Sequence, residues 1–329
     1  MTPDEIFRRA VDLHVSDLHI VEGEPPIGRI HGALVELDAQ PISGAPFTAF
    51  MHILLAEDLQ DSFARGGDID TSHAGAGHRW RVHAYTQRAG RAFSIRRIPS
   101  CPPPLESLGL PESVVQWSCL RTGLVLITGP TGSGKTTTAA SILDLINTRD
   151  SKHIVTIEDP IEFVLGSRRS LVSQREVGTH VASFSDALRS SLREDPDIIF
   201  VGEMRDLETV RLALQAAETG HLVISTLHTS SVTKTIARIV DLFPAEQQPQ
   251  VRAALADTIE GIIAQELVIN RLGERSLVAE VLVATSAVRS LIREGKAHHL
   301  EHVLDTSASS GMRSRAASVR LLREQGVVE

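Results

Sequence analysis

Residues 129–136 read Gly-Pro-Thr-Gly-Ser-Gly-Lys-Thr, the G-x-x-x-x-G-K-[ST] spacing of a phosphate-binding loop. Glycines at 132 and 134 let consecutive amides turn toward phosphate oxygens at the start of a helix, where the backbone dipole favours anions. Lys135 is then set to reach the β and γ phosphates, and the Thr136 hydroxyl to bind Mg2+. Three later segments carry polar groups at the ends of apolar runs. In VGEMRD, Glu203 follows an apolar strand and can hold Mg2+ or its water. In TIEDPIEF, Glu158, Asp159 and Glu162 follow another. A carboxylate there can orient and deprotonate the water that attacks the γ phosphate, with Glu158 favoured and Glu162 in reserve. In HLVISTLHT, His221 starts the run and His228 lies just past its end. An imidazole at the ligand side can donate a hydrogen bond to the γ phosphate. His228 suits that role, whereas His221 suits a structural one. Taken singly, each acidic segment is equally compatible with a solvated or helix-capping carboxylate. Their succession on apolar strands behind a glycine loop is what gives them weight.

Such groups converge only if the strands end together. The apolar runs at 123–128, 153–158, 197–203 and 221–227 are rich in β-branched residues and separated by helical segments. That pattern predicts a mostly parallel sheet covered on both faces, with ligands at the carboxyl edge of the strands. One intervening helix is legible in detail: Leu207, Val210, Leu214 and Ala217 form its apolar stripe, Asp206 caps its start, and Gly220 ends it. Beyond about residue 245 the pattern reads as helical, with a hairpin near 270–275. Upstream, the proline-dense stretch 98–111 reads as a linker. Before it, helices are expected near 3–13 and 46–62 and alternating strands at 79–85 and 92–98, a small α+β domain. The expected division is 1–98, a linker 99–111, and 112–329.

Composition narrows the chemistry further. A chain of 329 residues exceeds the usual size of a single core. With 42% hydrophobic and 22% charged residues it falls in the globular range. A net charge of −8 and an aromatic content of 4% offer neither a global attraction for nucleic acid nor stacking platforms, so no direct nucleic-acid partner is expected. No apolar run approaches the roughly 20 residues of a membrane span, and the opening MTPDEIFRRA has no signal-peptide core, so a cytoplasmic protein is expected. Cys101 and Cys119 are too few for a disulfide framework or a four-cysteine zinc site and read as free thiols.

In this order and spacing the four motifs resemble the Walker A, aspartate box, Walker B and histidine box of the secretion ATPase superfamily. More narrowly, the stretch 175–229 and the segments SDLHI, GDID, RIVDLFPAEQQ and LIREGKAHH look like the PilT family of type IV pilus retraction ATPases. The resemblance extends over nearly the whole chain. It implies an N-terminal PAS-like domain, a C-terminal RecA-like ATPase domain with a helical C-terminal region, and a homohexameric ring with ATP bound between domains and against a neighbouring subunit. The implied function is ATP-driven pilin disassembly serving twitching motility and DNA uptake. Partners would be an inner-membrane platform protein and other pilus ATPases, with the chain peripheral at the inner face of the membrane. ATP and Mg2+ are the implied ligands. Nucleotide contacts fall on Gly129, Pro130, Thr131, Gly132, Ser133, Gly134, Lys135, Thr136, Thr137, Asp159 and His221, and metal contacts on Thr136 and Glu203. Catalytic roles fall on Glu158, Glu162, Glu203 and His228, and on Arg81 and Arg96, which match the family arginines that reach the triphosphate from the N-terminal domain.

The sequence departs from relatives in three ways. It lacks the zinc-binding cysteine tetrad of pilus assembly and type II secretion ATPases, which favours the retraction subclass. Glu260 and Glu266 stand where basic residues are common, and the tail after Gly311 diverges. The alternatives are an assembly or secretion ATPase, a non-hydrolysing accessory regulator, and a nucleic-acid translocase on the same core.

Overall fold

Two kinds of apolar patterning, alternating before residue 100 and continuous after it, correspond to two sheets in separate units, Met1–Ser100 and Cys101–Glu329. The computed structural model describes residues 1–30, 32–98, 101–271 and 273–328. Pro99 and Ser100, the first two residues of the expected linker, lie outside the described residues, as does Leu272 within the expected hairpin.

The first unit runs α1 (Pro3–Asp12), β1 (Asp17–Val21), β2 (Ile27–Ile30), β3 (Ala33–Glu36), α2 (Ala45–Leu54), α3 (Glu57–Ala64), β4 (Ile69–Gly75), β5 (His78–Gln87) and β6 (Gly90–Ile98). Its six strands form an antiparallel sheet in the order β3-β2-β1-β6-β5-β4. Thr2 and Glu5 close a reciprocal capping box at the start of α1. Ile6, Phe7, Phe47 and Phe50 pack with Trp80 and Phe93 of the sheet, all fully buried. The helix expected over 46–62 is two helices, because Leu55 turns extended and buried and the acidic pair Glu57–Asp58 suits a new helix start.

The second unit holds α4 (Glu112–Trp117), β7 (Gly123–Thr128), α5 (Lys135–Arg149), β8 (His153–Glu158), β9 (Leu171–Glu176), α6 (Phe184–Ser191), β10 (Ile198–Val201), α7 (Leu207–Glu218) and β11 (Leu222–Leu227). It continues through α8 (Val232–Asp241), α9 (Gln248–Thr258), β12 (Ile259–Ile269), β13 (Arg275–Val283), α10 (Ser286–Arg293), α11 (Leu300–Thr306) and α12 (Arg315–Glu324). The seven-stranded sheet has the order β13-β12-β7-β11-β10-β8-β9. Every neighbouring pair is parallel except β12 with β13. Apolar clusters cover both faces, which is why β7 and β11 are buried at every residue.

Residues 101–111, taken with the second unit, are tied to it: Leu105 is buried in the core under α5, and Ser141 donates to the Pro103 carbonyl at 2.7 Å. The hairpin expected near 270–275 is present, but the residues on either side of it, expected among helices, are two long strands, β12 and β13. Ile259, Ile262 and Ile263 are β-branched and fill a slot beside β7, and a side chain at Gly261 would overlap the Trp117 indole. The acidic departures are paired internally, Glu260 with Arg289 at 2.8 Å and Glu266 with Arg315. The divergent tail is anchored as well, since the Ala279 amide donates to Ser318 Oγ at 3.1 Å.

Candidate active site

Parallel pairing fixes which residues share an edge. Thr128 of β7 lies opposite Leu227 of β11, Val201 of β10 opposite Ser225 of β11, and Ile157 of β8 opposite Val201. Glu158, the last residue of β8, and the positions that follow the other three strands, from Gly129, His228 and Gly202 onward, therefore stand side by side at the carboxyl edge.

At the first of them the chain turns directly into α5. Gly134 takes a left-handed conformation with φ of 85° and serves as the N-cap. A side chain at Gly129 would collide with the Gln265 carbonyl and Ser133 Oγ, so only glycine fits there. Lys135 is 8% exposed, and its Nζ donates to the carbonyls of Gly129 at 2.9 Å and Pro130 at 3.0 Å. Burial lowers its pKa from the ordinary value, while the Glu203 and Glu162 carboxylates act to raise it, so both acids lie within electrostatic reach of the ammonium. Pro130 and Thr131 are exposed, and Thr136 and Thr137 stand half-buried in the first turn of α5. Thr136 thus offers a hydroxyl one residue beyond Lys135.

Glu203 follows β10 with its side chain 12% exposed. Arg205 Nε lies 2.7 Å from one carboxylate oxygen, and His228 Nε2 lies 3.2 Å from the other. His228 is held past the end of β11 with half of its side chain exposed. His221 is at the opposite end of that strand, where its Nδ1 lies 3.0 Å from the Ala216 carbonyl of α7. Within this unit it joins none of the phosphate-loop groups.

Glu158 is the most perturbed acid of the edge. It is 6% exposed, and burial pushes its pKa up to about 7 against hydrogen bonds from Thr156 Oγ1 at 2.6 Å and Gln174 Nε2 at 3.0 Å, with Glu162 adding like charge. Glu162 and Asp159 are exposed. The loop carrying them is pinned by β9, a strand that sequence patterning missed: Glu176 accepts from the Ile161 amide at 3.0 Å, and Gln174 Oε1 from the Leu165 amide at 2.8 Å. Gln174, Thr156 and Gln265 escaped the sequence reading because polar residues inside apolar strands carry no motif signal.

In the first unit Arg81 and Arg96 are direct cross-strand neighbours on β5 and β6. Arg96 Nε bonds Asp17 Oδ1 at 2.7 Å with 72% of its side chain exposed, and Arg81 Nη2 lies 3.9 Å from Asp70 Oδ1. Like charges directly opposite on a sheet are unfavourable by themselves, and here the carboxylates of Asp17 and Asp70 offset them.

The hard oxygen donors of Thr136 and Glu203, with a half-exposed imidazole beside them, match what Mg2+ takes alongside phosphate oxygens. Among the described residues no cluster of three or more His, Cys, Asp or Glu could hold a metal by protein ligands alone.

Comparison with known proteins yields a consistent set of relatives. The family model described as type II/IV secretion system protein matches residues 4–274. The type IV pilus retraction ATPase PilT of Pseudomonas aeruginosa is 44% identical over 314 residues, covering 95% of this chain and 91% of that protein. A twitching motility protein of Neisseria gonorrhoeae is 42% identical over 92% of this chain and 82% of its own length. Among solved structures, the pilus retraction motor PilT with bound ADP superposes with a TM-score of 0.92 at 42% identity, covering 100% of this chain and 95% of that one.

Proposed function

This chain is an ATPase of the type II/IV secretion system protein family, and we propose that it couples ATP hydrolysis to the retraction of type IV pili, working as a homohexameric ring. The observation that carries the reading is the convergence at one sheet edge of a glycine loop, Lys135, Glu203, Glu158 and His228, in a chain that aligns with a retraction ATPase over nearly its full length.

In this reading the triphosphate lies along the loop at the N-terminus of α5, and Lys135 exchanges the Gly129 and Pro130 carbonyls for the β and γ phosphates. Thr136 and Glu203 would hold a magnesium ion, which when bound would neutralise charge on the phosphate oxygens. Glu158 takes a proton from the water whose oxygen bonds to the γ phosphorus as the bond to ADP breaks. A carboxylate with a pKa near 7 is matched to that work at neutral pH, because it is partly ionised and still a competent proton acceptor. Glu162, exposed, is the reserve base, and Asp159 a further contact of the same loop. His228, tied to Glu203, is placed to sense whether the γ phosphate is present. Arg81 and Arg96 carry planar guanidinium charge of the kind that suits the spreading negative charge of a phosphoryl-transfer transition state. The ring works on an inner-membrane platform protein from the cytoplasmic side. Among the described residues no helix is long and apolar enough to cross a membrane.

Lys135→Ala tests the reading at two levels. Steady-state ATPase activity should fall by at least about 100-fold. Cells carrying only the variant should keep abundant surface pili while losing twitching. Wild-type turnover in the variant sinks the ATPase site, and cells without pili indicate assembly in place of retraction.

A further inference from the structure

The phosphate loop is gripped from behind by a residue outside all four motifs. Gln265 lies on β12, the strand beside β7, and is 3% exposed. Its side-chain Nε2 donates to the Ser133 carbonyl at 2.7 Å, and its own backbone carbonyl fills the space that a side chain at position 129 would need. Gln265 Oε1 and Ser133 Oγ are both buried with no hydrogen-bond partner among the described residues. Burying polar atoms in that way is costly. A methionine would fill the same volume without that cost, so what the glutamine adds is its N–H donor.

The effect of that donor crosses one peptide plane. The Ser133–Gly134 bond is trans, so its carbonyl and its N–H point in opposite directions. With the Ser133 carbonyl drawn toward Gln265 of β12, the Gly134 N–H is turned to the opposite side of the peptide, away from β12. Gly132 and Gly134 both have positive φ, and glycine admits many other conformations at little cost. The loop sequence alone therefore leaves this plane free to rotate, and the Gln265 contact removes that freedom before any nucleotide arrives.

We infer that Gln265 is a positioning residue for nucleotide binding: its side-chain amide fixes the Ser133–Gly134 peptide plane so that the Gly134 N–H faces the phosphate chain of ATP or ADP. The inference rests on the ATPase reading above and adds to it a residue carried by a different strand. An amide oriented in advance holds phosphate equally in substrate, transition state and product. Losing the orientation should therefore raise KM and the ADP dissociation constant together and leave kcat nearly unchanged.

The test is Gln265→Met, which keeps volume and removes the donor, measured by ATPase kinetics and by calorimetric titration with ADP. Both KM for ATP and Kd for ADP should rise about tenfold, the loss expected for one hydrogen bond to a charged group, with kcat within about twofold of wild type. Should Gln265→Met not accumulate as folded protein, Gln265→Leu carries the same expectation, because it too has no donor for the Ser133 carbonyl. Unchanged KM and Kd, or a loss confined to kcat, overturns the inference. Lys135→Ala measured alongside separates the two readings. If that variant is inactive while Gln265→Met binds ADP as wild type does, only the role of Gln265 falls. If Lys135→Ala turns over normally, the site itself is misassigned.

Discussion

The sheet edge of the larger unit and the arginine pair of the smaller one hold charge in opposite ways. At the edge, Glu158 is 6% exposed and Lys135 8%, and both are tied by hydrogen bonds to their own surroundings. Arg96 and Arg81 leave about 72% and 47% of their side chains exposed, are opposed across one ladder, and are paired with Asp17 and Asp70. Buried charge has its protonation and geometry set in advance, at a desolvation cost. Exposed charge is cheap to keep, screened by salt, and useful only when an anion approaches. The strand ends are thus built for fixed geometry, and the arginine face for charge that stays open to solvent.

Replacing Glu158 with Gln should show the largest difference between the two regions. The amide keeps the shape of the site and cannot take a proton from water, so kcat should drop about 1,000-fold with ADP affinity retained. Only a small loss, with a large one in Glu162→Gln, would move the base to the exposed residue of the loop. Arg96→Ala should cost less, about 30-fold in kcat/KM. The loss should be greater at low salt than at high salt, since the contribution of an exposed cation is screened. A salt-independent loss as deep as that of Glu158→Gln would erase the contrast.

The smallest effect is on pH. A general base must be ionised, and the carboxyl of Glu158 is held at about 7 by burial. Activity should therefore fall as pH drops through 7, by about tenfold between pH 8 and pH 6. A kcat profile flat down to pH 5 would mean that the base ionises in the ordinary carboxylate range and is not this buried group.

Much of this arrangement is legible in the order of the residues. The glycine loop, the apolar strands and the polar residues at their ends can all be read there, because a parallel sheet buried on both faces writes itself as continuous β-branched runs. The turn of the hairpin β12–β13 is legible near 270–275, but its long strands are not, since GIIAQEL is an apolar run whose periodicity does not separate a strand from a buried helix. Its vacancy beside β7 and the Trp117 ring over Gly261 decide the matter. β9 escapes for the opposite reason. Its residues Ser173, Gln174 and Arg175 are polar and half-buried, and they form a strand because β8 offers an open edge.

The sequence by itself determined which groups could act on a phosphate and that they end successive strands, since those facts depend on residue type and local order. Tertiary structure alone decided that Glu158 is buried and Glu162 exposed within one short loop, that His228 meets Glu203 while His221 stands at the other end of β11, and that a glutamine 132 residues beyond Ser133 grips its carbonyl. Burial, strand order and contacts between distant segments are properties of the packed chain. They set pKa and geometry through desolvation and directional hydrogen bonds, which no local stretch of residues contains.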